Sequence, residues 1–322
     1  MHGRKVSNYA LTNCDLLFAI GTRFSDRTTF DLKHFAPLAK VIHADIDPAE
    51  IGKNVRVDLP IVGDAKKVLH GMLAILHEMK HSGKETPWTQ HINEMEKICR
   101  CDIEVDSVPI SAARVMHELN KNLPKNTIVT TDVGQHQMWA EHFFKVTNAR
   151  HFISSGGLGT MGFGFPAAIG AKAACPDKPV ACITSEGSFT MMMHELATAI
   201  NQNLPVAIIM LNNNWLGMVK QWQKHFYQNH YIGVDMGKMP DFVKLTEAFG
   251  GEGITVTRPS ELGEAIKRAI KSDTTFMVDI RTDPEEDMLP MVPPGGRIDR
   301  MISSSRCDPI DKAMELFTRV KS

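Results

Sequence analysis

Residues 180–219 read VACITSEGSFTMMMHELATAINQNLPVAIIMLNNNWLGMV. The order is an apolar stretch of strand length, a tight turn, a helix-length segment, a short connection, a second apolar strand and a polar loop. That is the make-up of one βαβ unit. Both strands of such a unit run the same way, so their carboxyl ends, residues 185–188 and 212–215, emerge side by side at one edge of a parallel sheet. Glu186, Asn212 and Asn213, distant in sequence, become neighbours there, beside the amino end of the helix that follows Gly187 and Ser188. Unpaired N–H groups at a helix amino end suit a phosphate, and a carboxylate next to an amide oxygen suits a hard divalent cation such as Mg²⁺ that binds the same phosphate. The residues by themselves leave a second reading open, in which Glu186 caps a turn and the asparagines only form a loop.

The same alternation extends outward. Strand-length apolar runs at 16–20, 41–46, 127–131 and 276–280 are separated by helix-period segments, so the fold class is α/β with doubly wound parallel sheets. Asp64 is placed to cap a helix with the apolar stripe Val68, Leu69, Met72, Leu73, Leu76 and Met79. Ser260 is placed likewise before Leu262, Ile266, Ala269 and Ile270. Residues 84–107, rich in charge, His and Thr, are expected to be a linker with at most one helical piece. They separate a first domain, 1–83, from a second, 108–283, and the proline- and glycine-rich 284–322 reads as a C-terminal arm. Two strand candidates make the first domain an incomplete sheet with an open strand edge and an uncovered apolar face, as expected of a piece of a longer protein.

Composition narrows the function classes. With 36 Lys plus Arg against 37 Asp plus Glu the formal net charge is -1, so no excess of positive charge points to nucleic acid or an anionic membrane surface. Hydrophobic residues at 43% and charged residues at 23% exclude a disordered chain. No apolar run approaches the roughly 18 residues of a membrane span, and MHGRKVSNYA lacks the apolar core of a signal peptide. The expected location is cytoplasmic, or an organelle matrix in a eukaryote. Cys14, Cys99, Cys101, Cys175, Cys182 and Cys307 are too scattered to predict a disulfide framework or a zinc site.

A second glycine-rich stretch, SSGGLGTMGFGFPAAIGAKAA at 154–174, places Gly156, Gly157, Gly159, Gly162, Gly164 and Gly170 around Met161 and is expected to open a helix at Pro166. Glycines this dense mark turns that need positive φ, or backbone closely approached by a ligand. Together with TTDVGQHQMWA (130–140), GSFTMMMHELATA (187–199) and LNNNWLGMVKQWQ (211–223), it resembles the diphosphate-binding domain of the acetolactate synthase (acetohydroxyacid synthase) catalytic subunits, a family of thiamine-diphosphate enzymes. DLLFAIGTRFSDRTT (15–29), HADIDPAEIGKN (43–54) and GDAKKVL (63–69) are similar to that family's central, FAD-binding domain, and MLPMVPPGG (288–296) to its C-terminal arm.

The resemblance implies a set of roles. Glu186, Asn213 and the carbonyl of Trp215 would ligate Mg²⁺. Gly187, Ser188, Gly217 and Met218, with Gln135 and His136, would hold the diphosphate of thiamine diphosphate. Gly159 would contact the aminopyrimidine, Thr160 would also belong to the cofactor-binding set, and Met161 would wedge beneath the bent cofactor. Trp222 would favour larger 2-keto acids as acceptor. Gly21, Arg23, Asp26, Arg27, Asp45, Ile46, Asp64 and Ala65 match the FAD positions. The implied reaction condenses two 2-keto acids, pyruvate with pyruvate or 2-ketobutyrate, with decarboxylation, in branched-chain amino-acid biosynthesis. Implied partners are a second copy or a complementary N-terminal chain, and a regulatory small subunit.

Taken as single residues, His136 reads equally as a structural histidine, Trp222 as core packing, and Met191, Met192 and Met193 as helix filler. Two departures from the family stand out. Ser185-Glu186-Gly187 replaces the usual Gly-Asp-Gly, so a longer carboxylate must reach the metal by another rotamer or a shifted loop, and Ser185 is expected to crowd a tight turn; Ser25 is a milder change. The family's N-terminal pyrimidine-binding domain, with its glutamate, has no counterpart in the 322 residues, so the chain is expected to be inactive alone. A non-catalytic diphosphate-binding module and a relative such as glyoxylate carboligase are the alternative readings.

Overall fold

A computed structural model of the chain describes residues 2–80, 83–99, 106–304, 307 and 310–314. The chain divides into two compact units, Met1–Asp102 together with Leu289–Ser322, and Ile103–Met288.

In the first unit, α1 (Lys5–Asn13) leads into β1 (Leu16–Ile20), α2 (Asp26–Thr29), β2 (Lys40–Asp45), β3 (Leu59–Val62), α3 (Ala65–Glu78) and α4 (Pro87–Ile98). The strands form a parallel sheet in the order β1-β2-β3, with Ile20 beside Ala44 and Asp45 beside Val62. Ala19, Phe24, Phe35, Val41 and Ile298 make its core. Asp64 caps α3 as expected, its Oδ1 accepting from the N–H of Lys67 at 3.1 Å. The apolar stripe of that helix finds little to cover it: Val68 and Met72 are half-buried, but Leu73 is 52% exposed and Met79 71%, and no residue of α3 is buried. Leu73→Glu therefore removes almost no buried apolar surface. It should change unfolding free energy by less than about 0.5 kcal/mol while reducing self-association through that face. Urea denaturation and sedimentation velocity check this, and a loss above about 2 kcal/mol would show that Leu73 is packed after all.

The stretch expected as a linker carries α4, which begins at a reciprocal cap. Thr86 Oγ1 accepts from the Thr89 N–H at 3.2 Å and Thr89 Oγ1 from the Thr86 N–H at 2.8 Å, with Pro87 at the first helical position. Trp88, Ile92 and Met95 pack with Val6 and Tyr9 of α1 and with Ile310, so this helix folds inside the first unit. The C-terminal segment joins the same unit, where Asn8 Nδ2 donates to the carbonyl of Ile298 at 3.0 Å. Cys14, Cys175 and Cys182 carry free thiols, and Cys307 is disulfide-bonded, which the scattered spacing did not predict. Cys101 lies outside the described residues.

The second unit runs α5 (Ala112–Asn122), β4 (Ile128–Thr131), α6 (Gln135–Phe143), β5 (Phe152–Ser154), α7 (Gly164–Ala174), β6 (Val180–Thr184), α8 (Glu186–Met192), α9 (Leu196–Asn201), β7 (Ala207–Asn212), α10 (Gly217–Phe226), α11 (Phe242–Ala248), β8 (Glu252–Val256), α12 (Leu262–Lys271) and β9 (Phe276–Arg281). Its sheet is parallel throughout in the order β5-β4-β6-β7-β9-β8. Every residue of β6 and β7 is buried, because helices cover both faces and leave no reason for polar alternation. Alternate side chains still part company. Ala181, Ile183 and Ile209 join Met116, Leu119 and Ile266 on one face, while Val180, Cys182, Ile208 and Met210 join Phe165, Phe189 and Phe242 on the other.

Chain order reverses between β4 and β6, since β5 lies on one side of β4 and β6 on the other. In open α/β sheets such a switch point opens a crevice at the carboxyl ends of the strands, where ligands bind. One expected cap is corrected. Ser260 sits inside a 3-10 turn, Pro259–Glu261, that Pro259 initiates, and it makes no capping bond to α12; the Glu261 carboxylate instead accepts from the N–H groups of Thr257 and Arg258. Among the described residues no helix is long and apolar enough to cross a membrane.

Candidate active site at the sheet switch point

A cavity of about 240 Å³ opens at the switch point of the second unit. The start of α6, which follows β4, lines it with Gln135 and His136, the glycine-rich loop after β5 with Gly159 and Met161, and the segment after β7 with Asn213, Trp215, Gly217 and Met218. Eight of the positions implied by the resemblance thus converge on one hollow. The remaining ones in this unit stand around it. Glu186, Gly187 and Ser188 are buried in the first turn of α8, and the Ser188 hydroxyl donates to the carbonyl of Val133 at 3.0 Å. Gly187 backs onto the cavity wall, since a Cβ there would lie 3.0 Å from Leu216 Cδ2 and 3.7 Å from Met161 Cε. Thr160 is exposed, with its N–H donating to Ser155 Oγ. Trp222 is half-buried, packs edge-on against Phe226 with ring centroids 5.4 Å apart, and is not among the residues lining the cavity.

Glu186 is the unusual group. It is 0% exposed, and neither carboxylate oxygen has a hydrogen-bond partner. Burial raises its pKa from 4.5 to about 7. The backbone N–H groups of Glu186, Asn214 and Trp215 lie close enough to offset part of that rise, yet outside hydrogen-bonding geometry, and the Asp279 carboxylate adds to it. A carboxylate this deep with no partner costs free energy unless something positive joins it. Ser185 does not crowd the turn as expected: its φ of -132° is ordinary extended backbone, so a Cβ fits without strain.

The two asparagines separate. Asn212, the last residue of β7, turns inward, its Nδ2 donating to Asp279 Oδ1 at 2.9 Å. Asn213 faces the cavity, with Oδ1 accepting from the Trp215 N–H at 3.0 Å. A carboxylate without partners near the Trp215 N–H and an amide oxygen bound to that N–H form the donor set that a hard divalent cation takes, completed by a backbone carbonyl. Among the described residues there is no group of three or more His, Cys, Asp or Glu side chains that could hold a metal, so a cation here has to use this mixed set.

His136 is held from below. Its Nε2 donates to Asp132 Oδ1 at 2.5 Å, and its Nδ1 has no partner. An accepting carboxylate keeps the proton on Nε2 and leaves Nδ1 as an acceptor. Asp132→Ala strands both nitrogens of a buried ring and should cost about 2 kcal/mol in urea denaturation; a change under about 0.5 kcal/mol would mean the contact contributes nothing.

Glu286 lines the cavity and was not anticipated from sequence. Its carboxylate accepts from Ser111 Oγ at 2.7 Å and from the Ala112 N–H at 2.6 Å, capping α5. The acidic run DPEED opens the stretch expected to be an ordered arm or loop, and the distant Ser111-Ala112 helix start gives its third acidic residue a task.

In the first unit, the remaining implied residues gather at the carboxyl edge of β1-β2-β3. Gly21 follows β1, with φ of +61°. Arg23 is exposed on a loop steadied by Asn54, whose Nδ2 donates to its carbonyl at 3.2 Å. Asp26 and Arg27 open α2, and the Arg27 N–H donates to Asp26 Oδ1. Asp45 ends β2, its Oδ1 accepting from the Asp47 N–H at 2.9 Å, with exposed Ile46 next to it. Asp64 and Ala65 begin α3.

A parallel α/β sheet with a cavity at its switch point, a buried orphan carboxylate and a facing asparagine define a cofactor-binding class, and sequence comparison gives it a family. Residues 132–280 match the thiamine pyrophosphate enzyme C-terminal TPP binding domain, and residues 1–72 the thiamine pyrophosphate enzyme central domain. The chain belongs to the thiamine pyrophosphate enzyme family. It is 51% identical over 316 residues to the "Probable acetolactate synthase large subunit" of Methanocaldococcus jannaschii, covering 96% of this chain and 53% of that protein. It is 44% identical over 308 residues to the acetolactate synthase large subunit of Haemophilus influenzae (94% and 54%) and 41% identical over 307 residues to acetolactate synthase isozyme 3 large subunit of Escherichia coli (94% and 54%). The chain spans about half the length of the curated relatives it matches. Both the family and the relatives agree with the resemblance drawn from the motifs.

Proposed function

We propose that this chain forms the diphosphate-holding part of an acetolactate synthase-type enzyme, which condenses two 2-keto acids, pyruvate with pyruvate or 2-ketobutyrate, with loss of CO₂, in branched-chain amino-acid biosynthesis. The observation that carries the proposal is the Glu186 carboxylate, fully buried at the switch point with both oxygens unpartnered. Glu186, Asn213 Oδ1 and the Trp215 carbonyl would hold Mg²⁺. Gln135, His136, Gly217 and Met218 line the place for a diphosphate, with Gly187 and Ser188 behind it, and Gly159, Thr160 and Met161 border the pyrimidine side. When bound, thiamine diphosphate supplies the carbon nucleophile that a decarboxylating condensation of 2-keto acids requires. Met161 fills space beside the cofactor without offering a competing hydrogen bond. Trp222, on the helix that follows the cation site, is proposed to bear on acceptor choice.

The carboxyl edge of β1-β2-β3, with Gly21, Arg23, Asp26, Arg27, Asp45, Ile46, Asp64 and Ala65, is proposed to take FAD, since strand carboxyl ends are where such sheets bind nucleotides. Two observations support a partner that completes the enzyme: the chain covers about half of its relatives' length, and the apolar stripe of α3 is exposed. The partner would be a complementary N-terminal chain, within a homo-oligomer. The relatives' names call them large subunits, which supports a smaller, regulatory companion.

The test is CO₂ release from pyruvate with Mg²⁺, thiamine diphosphate and FAD present, by the chain alone and mixed with the N-terminal half of the Methanocaldococcus relative. Activity in the mixture only is expected. Activity of the chain alone would refute the need for a partner, and inactivity of a mixture that demonstrably associates would count against the proposed reaction.

A further inference from the structure

We infer that Gln221, which lies outside the cavity lining, is a positioning residue whose carboxamide acts with the Trp215 N–H to make Asn213 present oxygen, not nitrogen, to the proposed cation site; the inference rests on that site. A carboxamide has an accepting and a donating end of nearly equal shape, so an asparagine next to a cation needs something to say which end faces it. A backbone N–H or C=O has a polarity fixed by covalent structure, and the chain of contacts starts on one.

The Met288 N–H donates to Gln221 Oε1 at 2.8 Å, and Gln221 Nε2 donates to the Met288 carbonyl at 3.0 Å. An N–H cannot accept and a carbonyl cannot donate, so Gln221 has one permitted orientation. Its oxygen then takes a second bond, from Gln135 Nε2 at 3.0 Å. Gln135 Nε2 also donates to the carbonyl of Glu286 at 3.1 Å, another group that can only accept. Both amide hydrogens of Gln135 are spent on acceptors, which turns its Oε1 the other way, toward Asn213 Nδ2 at 3.5 Å. Asn213 thereby points its Oδ1 to the opposite side, where it accepts from the Trp215 N–H at 3.0 Å. That N–H is one of the groups acting on the Glu186 carboxylate, so the amide oxygen and the carboxylate share one neighbourhood.

The relay is tightly enclosed. Gln135 and Gln221 are buried, and a Cβ on Gly217 would strike Gln135 Oε1 and lie 3.2 Å from Asn213 Nδ2. In a buried network each member depends on the polarity of the next, so removing Gln221 takes one of the two acceptors from Gln135 and loosens its hold on Asn213, which is left to the Trp215 N–H.

Gln223 on the same helix provides a matched control. It makes the same pair of backbone bonds, to the N–H and carbonyl of Ile232, both at 3.1 Å, but has no link to Asn213.

The experiment measures Mn²⁺ uptake by loss of the free-ion electron paramagnetic resonance signal, with thiamine diphosphate present, in the full chain. Gln221→Met keeps the side-chain length and removes both polar atoms. Affinity is expected to fall about 10- to 100-fold, as for loss of a group that orients a metal ligand, while Gln223→Met changes it less than about 3-fold. Gln221→Leu is the second variant should the first fail to fold. Equal Mn²⁺ affinity in folded Gln221→Met and the parent overturns the inference and leaves the proposed function standing. If the parent takes up no Mn²⁺, the proposed function fails instead, and a crystal structure of Gln221→Met decides the relay: Gln135 and Asn213 unmoved overturns it, and both turned supports it.

Discussion

Glu186→Gln is expected to make the protein more stable above neutral pH and to remove its hold on a divalent cation at the same time. Burial raises the Glu186 pKa from 4.5 to about 7, so the folded state disfavours the charged form relative to the unfolded state. Below about pH 4.5 the group is protonated in both states and costs nothing. As pH rises from 4.5 to 7 the unfolded chain ionises first, and stability falls across that window to a plateau above pH 7. A pKa raised from 4.5 to about 7 corresponds to about 3 kcal/mol. A neutral amide of the same shape escapes this cost. With a chelator present, urea denaturation at pH 4.5 and 8 should therefore show little difference at the lower pH and a more stable variant, by up to about 3 kcal/mol, at the higher one. The same substitution removes the one carboxylate in the proposed donor set, so Mg²⁺ affinity should fall by about 100-fold or more. Equal stability of parent and variant at pH 8 would mean that Glu186 is solvated or paired in the folded protein.

Phe189→Ala carries the largest expected loss of stability. The ring is buried between Phe165, with centroids 5.3 Å apart, and Phe242, at 6.0 Å and edge-on. It lies in the first turn of α8, three residues after Glu186, and anchors that helix to the sheet face made by Val180, Cys182, Ile208 and Met210. Truncation leaves a cavity in this layer and forfeits two aromatic contacts. The expected cost is about 3–5 kcal/mol. Urea denaturation gives the number, and a loss under about 1 kcal/mol would show that α8 is held in place by something other than this ring.

The central strands were legible because their burial is complete. Residues 180–184 and 206–211 read as uninterrupted apolar runs, and the structure places β6 and β7 there within a residue at each end. β3, β5 and β8 were missed for the converse reason. Each sits at the edge of its sheet; β3 contains Pro60, β5 is three residues long, and β8 carries Gly253 among half-buried and exposed positions. Edge strands bury one side at most and tolerate proline, so their sequence signal is faint. The exposed stripe on α3 was legible, since two strand candidates cannot cover an amphipathic helix.

At the site, Glu186 and Asn213 could be paired from the βαβ rule alone, but not the choice between Asn212 and Asn213. That choice depends on where β7 ends and which way its last side chain points. Glu286 and Gln221 act on partners at Ala112 and Met288, contacts that tertiary structure alone brings about. The expected crowding at Ser185 failed because the backbone bends after this residue, at the start of α8, and not at it.

The measurement closest to the central claim is calorimetric titration of the parent chain and Glu186→Gln with thiamine diphosphate, each with Mg²⁺ and with a chelator. Saturable binding by the parent only when Mg²⁺ is present, and its loss in the variant, is the predicted result. Binding that persists unchanged under chelation, or in Glu186→Gln, would contradict a diphosphate anchored through a cation on this carboxylate.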